Sequence, residues 1–432
     1  MDLKINNNMV EVREENSPIY TSNFKIFDFD TSSIEKRYRV VSETCDIEIN
    51  KNVKKLLDFI RTNEGQKYSF IIDKFSEGNI VNRKIMDDTL LMLFSKGILK
   101  NEKEEIKEIK EEDFHRNKME HFGYRRKLID TEKHENFFCF FSFVFSKPFV
   151  ITILFLFFMF DAIFVYSYFF TSWKEQLTYF SAFDYLYLGI FGWVSLFLHE
   201  TGHIAAAKKY NAKTGGIGLG IYYYMLVGYA DIHETWNLPR QKRSVVSIAG
   251  FYWNMISILP IYILCFYLSS KVIADFLLLF HFSFISVFNP FLKMDGYWFL
   301  SDTLGVPNLQ NRIKQYFFQY LPAKYFNKPN VVNPFISYPV KTRKHINVYI
   351  VLFIMFMVTF LSLFLYKVVN IIIDFEVEIV KPLKIIITNW DSSMFNKLLR
   401  NGFILFGWIM FFQNYFKKII KFLIQKISRK KI

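Results

Sequence analysis

Leu198-His199-Glu200-Thr201-Gly202-His203 is polar chemistry set inside an apolar segment. From Tyr185 to Ala207 the chain is nearly continuous in Leu, Ile, Phe, Trp, Val and Ala, long enough to cross a bilayer as a helix. Ionisable groups at membrane depth are costly and rarely persist without a task. His199 and His203 stand four apart, so both imidazoles fall on one helix face within reach of a single metal. Glu200 follows the first histidine and points beside that metal, where it can take a proton from a bound water. This is the H-E-x-x-H arrangement of zinc hydrolases. A soluble surface tolerates these residues by accident; a helix in lipid does not. The segment reads as a metal site, and most of the chain is organised around it.

The composition fits that placement. Of 432 residues, 52% are hydrophobic and 19% aromatic, with 52 Phe and 25 Tyr. The formal charge of +14 does not read as nucleic-acid binding, because the basic residues gather beside the ends of apolar segments. There they set orientation and meet anionic lipid headgroups. The three cysteines, Cys45, Cys139 and Cys265, have neither metal nor redox spacing, and no disulfide framework is expected. Met1 to Pro18 is polar and mixed in charge, so no signal peptide is read there.

Taken in order, residues 1–100 read as a small cytosolic α+β domain. Tyr38–Val41 and Asp46–Ile49 have strand patterns. Helix spacing follows at Val53, Leu56, Leu57 and Ile60, at Phe70, Ile71 and Phe75, and at Met86, Leu90, Leu91, Leu93 and Phe94. Strands with three short helices predict a winged-helix-like domain. Residues 101–147 read as a charged linker and an interfacial segment, with Phe137–Ser146 too short to span. A catalytic membrane core is expected over 148–310, and a cytosolic loop with two further spans over 311–432. The predicted spans are 149–170, the H-E-x-x-H helix, 245–268, 276–300, 347–366 and 401–416. Gly215–Trp236 is too short and too glycine-broken for a spanning helix, and reads as strands dipping toward the membrane beside the metal. The fold class is thus a polytopic α-helical membrane protein of about six transmembrane helices with a short membrane-associated β segment. Lys and Arg near the span ends place both termini on the cytosolic side.

A catalytic zinc needs a third protein ligand and an open position for water. Asp295 lies in a segment weakened by Pro290 and Gly296, near the same membrane face as His203, and can bend toward the metal. His281 lies some 21 Å away along a continuous helix (roughly 1.5 Å per residue), so it and Asp295 cannot serve one site. His281 is read as a packed histidine, and His233 with Glu234 as a surface alternative. Asp161 within the first span needs a partner or a water-filled cavity.

His199-Glu200-x-x-His203 on one span and Asn289-Pro290-x-x-x-x-Asp295-Gly296 on a later one together resemble the site-2 protease-like intramembrane zinc metalloproteases. The resemblance covers residues 149 to 300 and implies Zn2+ held by His199, His203 and Asp295. Ala249-Gly250-Phe251-x-x-Asn254 is similar to the family's Gly-Pro-x-x-x-Asn element, with Phe251 where Pro is usual and Asn254 one position early. Tyr229-Ala230-Asp231, Trp236 and the run from Asp295 through Asp302 to Leu309 look like a bacterial peptide zinc metalloprotease branch, often found with ribosomally made, modified peptides.

The activity so implied is hydrolysis of peptide bonds in a small precursor near the cytosolic face, in partnership with a peptide-modifying enzyme and an ABC exporter. Glu200 would serve as general base and acid, and Asn254 or Asn289 would donate to the oxyanion or else bond between helices. An extended substrate would lie along Tyr222, Tyr223 and Tyr224. The alternatives are cleavage of a transmembrane signalling protein and a non-enzymatic immunity or export role.

Overall fold

A computed structural model describes residues 17–406 apart from 43–44, 79–82, 102–121, 171–181, 223–224, 327–330, 390, 392, 396, 400 and 403. The chain forms two compact units, Met1–His345 and Ile346–Ile432, so residues 1–100 share one unit with the metal-bearing core.

The N-terminal part begins with strand β1 (Tyr20–Thr21), then an antiparallel meander of β2 (Phe24–Phe29), β3 (Arg37–Ser42) and β4 (Asp46–Asn50). Three helices follow: α1 (Lys51–Thr62), α2 (Tyr68–Gly78) and α3 (Arg83–Ser95). Strand β5 (Leu99–Lys100) then returns to pair with β1. Asn50 starts α1 because its side chain accepts the Val53 N–H, satisfying one of the helix's orphan donors. Of the apolar residues in the three helical patterns, Leu57, Ile60, Ile71, Met86, Leu90 and Leu93 are fully buried with Val40 and Ile49 of the meander, whereas Val53, Leu91 and Phe94 are half-buried and Phe70 is exposed. Strand β2 carries no clean alternation, which is why periodicity alone missed it.

Within the linker region, β6 (Phe122–Ile129) pairs with β7 (Gly216–Tyr222), which pairs in turn with β8 (Met225–Asp231). The sequence expected strands only at 215–236; the basic run Arg125-Arg126-Lys127 hides the third. Helix α4 (Glu135–Phe140) and a 3-10 turn (Phe141–Phe145) precede α5 (Lys147–Phe170). Then come α6 (Ala182–Lys209), α7 (Arg240–Leu268), α8 (Lys271–Val287) and α9 (Asp295–Leu304). Helices α10 (Leu309–Gln315), α11 (Leu321–Tyr325), α12 (Val340–Ile373) and α13 (Lys381–Thr388) complete the described chain.

Among the described residues α5, α7 and α12 are long and apolar enough to cross a membrane, and the protein is a mostly helical membrane protein. Helix α6 is 28 residues long but carries His199, Glu200 and His203, which dilute its apolar content. Most of the expected sixth span, 401–416, lies outside the described residues. The expected span 276–300 is not one helix. Helix α8 stops at Val287, the chain turns through 288–294, and α9 starts afresh at Asp295. Pro290 disfavours helix before it, and Gly296 packs over the Phe288 carbonyl where a side chain would strike it.

The core gathers α5, α6, α7 and α8, with Ala205, Ala206 and Ala207 of α6 fully buried. Small residues let α6 and α7 approach closely: a Cβ on Gly202 would stand 2.7 Å from the Ala249 carbonyl oxygen. Polar groups at membrane depth are paired. Asp161 of α5 meets His281 of α8 at 2.5 Å and accepts the Tyr262 hydroxyl of α7 at 2.9 Å. Asp275 accepts the Tyr168 hydroxyl at 2.7 Å.

Candidate metal centre

His199 and His203 sit one turn apart on α6, and Asp295 arrives from the first residue of α9, 92 positions beyond His203. His199 Nε2 lies 2.9 Å and His203 Nε2 3.2 Å from the same Asp295 Oδ2, and the two imidazole nitrogens are 3.3 Å apart. Donor atoms bound to a tetrahedral zinc at about 2.0–2.1 Å are spaced roughly 3.3 Å from one another, so this triangle matches the ion's demands. Among the described residues it is the one cluster of three such side chains with converging donor atoms. Asp295 also stands in the first turn of α9, where the unpaired backbone N–H groups favour a carboxylate.

The space for the ion is left by a glycine. A Cβ on Gly250 of α7 would fall 2.5 Å from both His199 Nε2 and His203 Nε2, inside the cradle. The surroundings also orient the ligands. His203 Nδ1–H donates to the Val246 carbonyl at 2.7 Å, which leaves Nε2 unprotonated and free to bind metal. His199 Nδ1 faces the Asn254 amide at 3.1 Å. A His199 bound through Nε2 carries its proton on Nδ1 and needs an acceptor there. Turning the Asn254 amide by half a revolution supplies one and relieves Oδ1, which is buried without a partner.

Glu200 is buried beside the two histidines and accepts a hydrogen bond from the Ala230 N–H of β8. At Gly228, one residue pair earlier on that strand, a Cβ would come within 3.0 Å of Glu200 Oε1 and 2.9 Å of Leu196. β8 is an edge strand, so its backbone borders the carboxylate.

The sequence-predicted residues are distributed as follows. His199, His203 and Asp295 come together, with Glu200 beside them. Asn254 contacts a ligand. Asn289 lies in the turn before α9, its Oδ1 accepting the Phe291 N–H at 2.8 Å. Tyr222 ends β7 in register with Met225, and Tyr223 and Tyr224 lie outside the described residues. Of the expected strand edge from Tyr222 to Val227, Tyr222 belongs to β7 and Met225–Val227 open β8, the two strands pairing antiparallel. The strand that borders Glu200 is β8, at Gly228–Ala230. His233, the surface alternative, is 2.7 Å from Arg39 of the N-terminal part. His281 is held by Asp161, Tyr262 and a stacked Phe164. Sequence reasoning missed the steric meaning of Gly250 and Gly228; the signal was a glycine in an otherwise bulky helix and one in a strand among the larger Met225, Leu226, Val227 and Tyr229.

Fold and site define a membrane protein with a cluster of two histidines and an aspartate that could hold a metal, beside a buried glutamate. The sequence profile of peptidase family M50 matches residues 187–422, more than half of the chain. The chain therefore belongs to peptidase family M50, the site-2 protease family, whose metal is zinc. It is also 26% identical over 106 residues to the Bacillus subtilis (strain 168) protein named "Putative peptide zinc metalloprotease protein YydH". That match covers 24% of this chain and 42% of the relative, well under half of the relative's length. No solved structure matches the chain.

Proposed function

We propose that the chain is an intramembrane zinc endopeptidase that cuts a small precursor peptide, ribosomally made and modified, near the cytosolic face. The observation that carries this reading is the convergence of His199, His203 and Asp295 from helices distant in sequence, next to a buried Glu200. Three protein ligands with a fourth position left over favour catalytic over structural zinc, which usually has four protein ligands. The relative's name, a peptide zinc metalloprotease, supports a peptide as substrate.

Zinc, when bound, supplies a Lewis acid and a water that ionises near neutral pH. Glu200 would accept a proton at its carboxylate and hand it to the leaving amine, and its burial would keep competing water from the transfer. Asn254 holds His199 in the tautomer that presents Nε2. The N–H and C=O groups along β8 offer an extended substrate a strand to pair with, which unwinds the scissile segment and exposes its carbonyl. Asn289 caps its own turn and so shapes the approach to Asp295; a role as oxyanion donor rests on its free amide N–H groups.

The N-terminal meander with three helices supports a winged-helix-like domain that grips the precursor away from the cut. We place six spans in the bacterial plasma membrane with both termini cytoplasmic, a peptide-modifying enzyme and an ABC exporter being the working partners. Cleavage of a transmembrane signalling protein would need none of these.

Metal analysis and one variant test the reading. Purified protein should hold close to one zinc per chain. Glu200→Gln should keep that zinc while slowing cleavage of the precursor encoded by the neighbouring short reading frame by about a hundredfold or more. Full cleavage by Glu200→Gln would show that the zinc is structural.

A further inference from the structure

The C-terminal end of α9, not only its beginning, is specially held. Helix α9 spans ten residues, a rod of about 15 Å, so fixing one end fixes the other. One stripe along it carries Asp295, Trp298 and Asp302, spaced i, i+3 and i+7. Asp295 is the metal ligand. Trp298 meets Trp236 edge-on, with ring centroids 6.0 Å apart. Asp302 accepts Arg243 Nε at 2.9 Å through one carboxylate oxygen and Ser247 Oγ at 2.9 Å through the other.

The last turn of α9 is capped from the N-terminal domain. Ser32 N–H donates to the Gly305 carbonyl at 2.9 Å, and Ser32 Oγ donates to the Leu304 carbonyl at 2.6 Å. These are helix-end carbonyls that have no partner inside the helix. Gly305 is left-handed at φ +64°, and a Cβ there would stand 2.6 Å from Ser32 N, so a side chain at 305 would push the domain away. The same segment holds Arg243, whose Nη2 donates to the Asp30 carbonyl at 3.0 Å while its guanidinium lies over the Phe29 ring. Arg243 is nearly fully buried, its side chain 4% exposed. A domain present only to catch a peptide needs no such cap on the metal-bearing helix.

We infer that the N-terminal domain is a structural part of the metal centre: Ser32 clamps the end of α9 and, through that short rod, holds Asp295 at the metal. Ser32 is a positioning residue, more than 15 Å by this reckoning (about ten residues of helix rise) from the ion it serves. The inference rests on the zinc reading of the triad above, and goes beyond it by making zinc affinity depend on a domain that contributes no ligand.

The test uses the full-length protein, stripped of metal and reloaded. Zinc affinity is read by competition with a chelator, and the coordination geometry by the visible absorption of the cobalt-substituted form. Ser32→Glu sets a negative charge against the carbonyl end of α9, and should weaken zinc binding about tenfold or more and shift the cobalt bands. Ser32→Thr keeps the N–H and the hydroxyl and should restore both. Asn52→Glu, the same addition of one negative charge on an exposed site of the same domain, should alter neither. Wild-type zinc affinity and cobalt bands in Ser32→Glu would overturn the inference. Should that variant not fold, Ser32→Ala takes its place: a loss of roughly fivefold supports the clamp, and unchanged affinity overturns it. Wild-type protein that binds no zinc at all would instead defeat the functional reading.

Discussion

Two clusters of the same chemistry lie at membrane depth in this molecule, and only one is built for a metal. In the first, His199, His203 and Asp295 turn three donor atoms into a common space. In the second, Asp161, Tyr262 and His281 point theirs at one another. His281 uses Nδ1 on the Leu277 carbonyl at 2.5 Å and Nε2 on Asp161 at 2.5 Å, with its ring stacked on Phe164. Both nitrogens of His281 are thereby occupied. At the first cluster the missing side chain of Gly250 opens the void, and the Val246 carbonyl takes up the second nitrogen of His203 so that the first is free. A histidine beside a carboxylate is therefore a pair by default; a glycine opposite and a satisfied far nitrogen turn it into a ligand set.

That contrast can be broken most severely at Gly250. Gly250→Leu fills the cradle from α7 while leaving every ligand residue in the sequence, and should abolish zinc binding while the protein still extracts and melts as a folded membrane protein. Retained stoichiometric zinc would show that the ion sits elsewhere. A smaller loss is expected at Asn254. Asn254→Leu removes the partner of His199 Nδ1, and should weaken zinc affinity by about 10- to 100-fold, measured by chelator competition. Asn254→Asp, which accepts from Nδ1–H, should recover most of it. If Asn254→Leu binds zinc normally but cuts slowly, the side chain acts on substrate and not on the ligand.

The smallest effect sharpens the other half of the comparison. Asp161→Asn should leave zinc stoichiometry and affinity unchanged and lower the melting temperature by a few degrees, since it weakens one link among three helices. Zinc lost from this variant would mean that the two clusters are coupled through α7, which carries both Gly250 and Tyr262.

The sequence by itself determined the two histidines, the glutamate between them and the α-helical membrane class. Those rest on local rules: a four-residue spacing sets one helix face, and an apolar run sets a span. It also named Asp295, because few carboxylates stand at membrane depth near a helix breaker. It did not foresee that the span expected over 276–300 ends at Val287 and that Asp295 begins a new helix. Nor did it foresee that β6, three helices earlier in the chain, joins β7 and β8, or that β8 at Gly228–Ala230 is the strand beside Glu200. Only the tertiary structure decided these, since strand pairing and helix restarts depend on which distant backbone is available to pair. The same holds for Ser32 at the end of α9, 272 positions from the carbonyl that its hydroxyl meets. Nothing in a serine's neighbours records a contact that long-range packing alone creates. The sequence could say which atoms want a metal; the room left by Gly250 and the fixed angle of α9 come from how the helices and the N-terminal domain pack against one another.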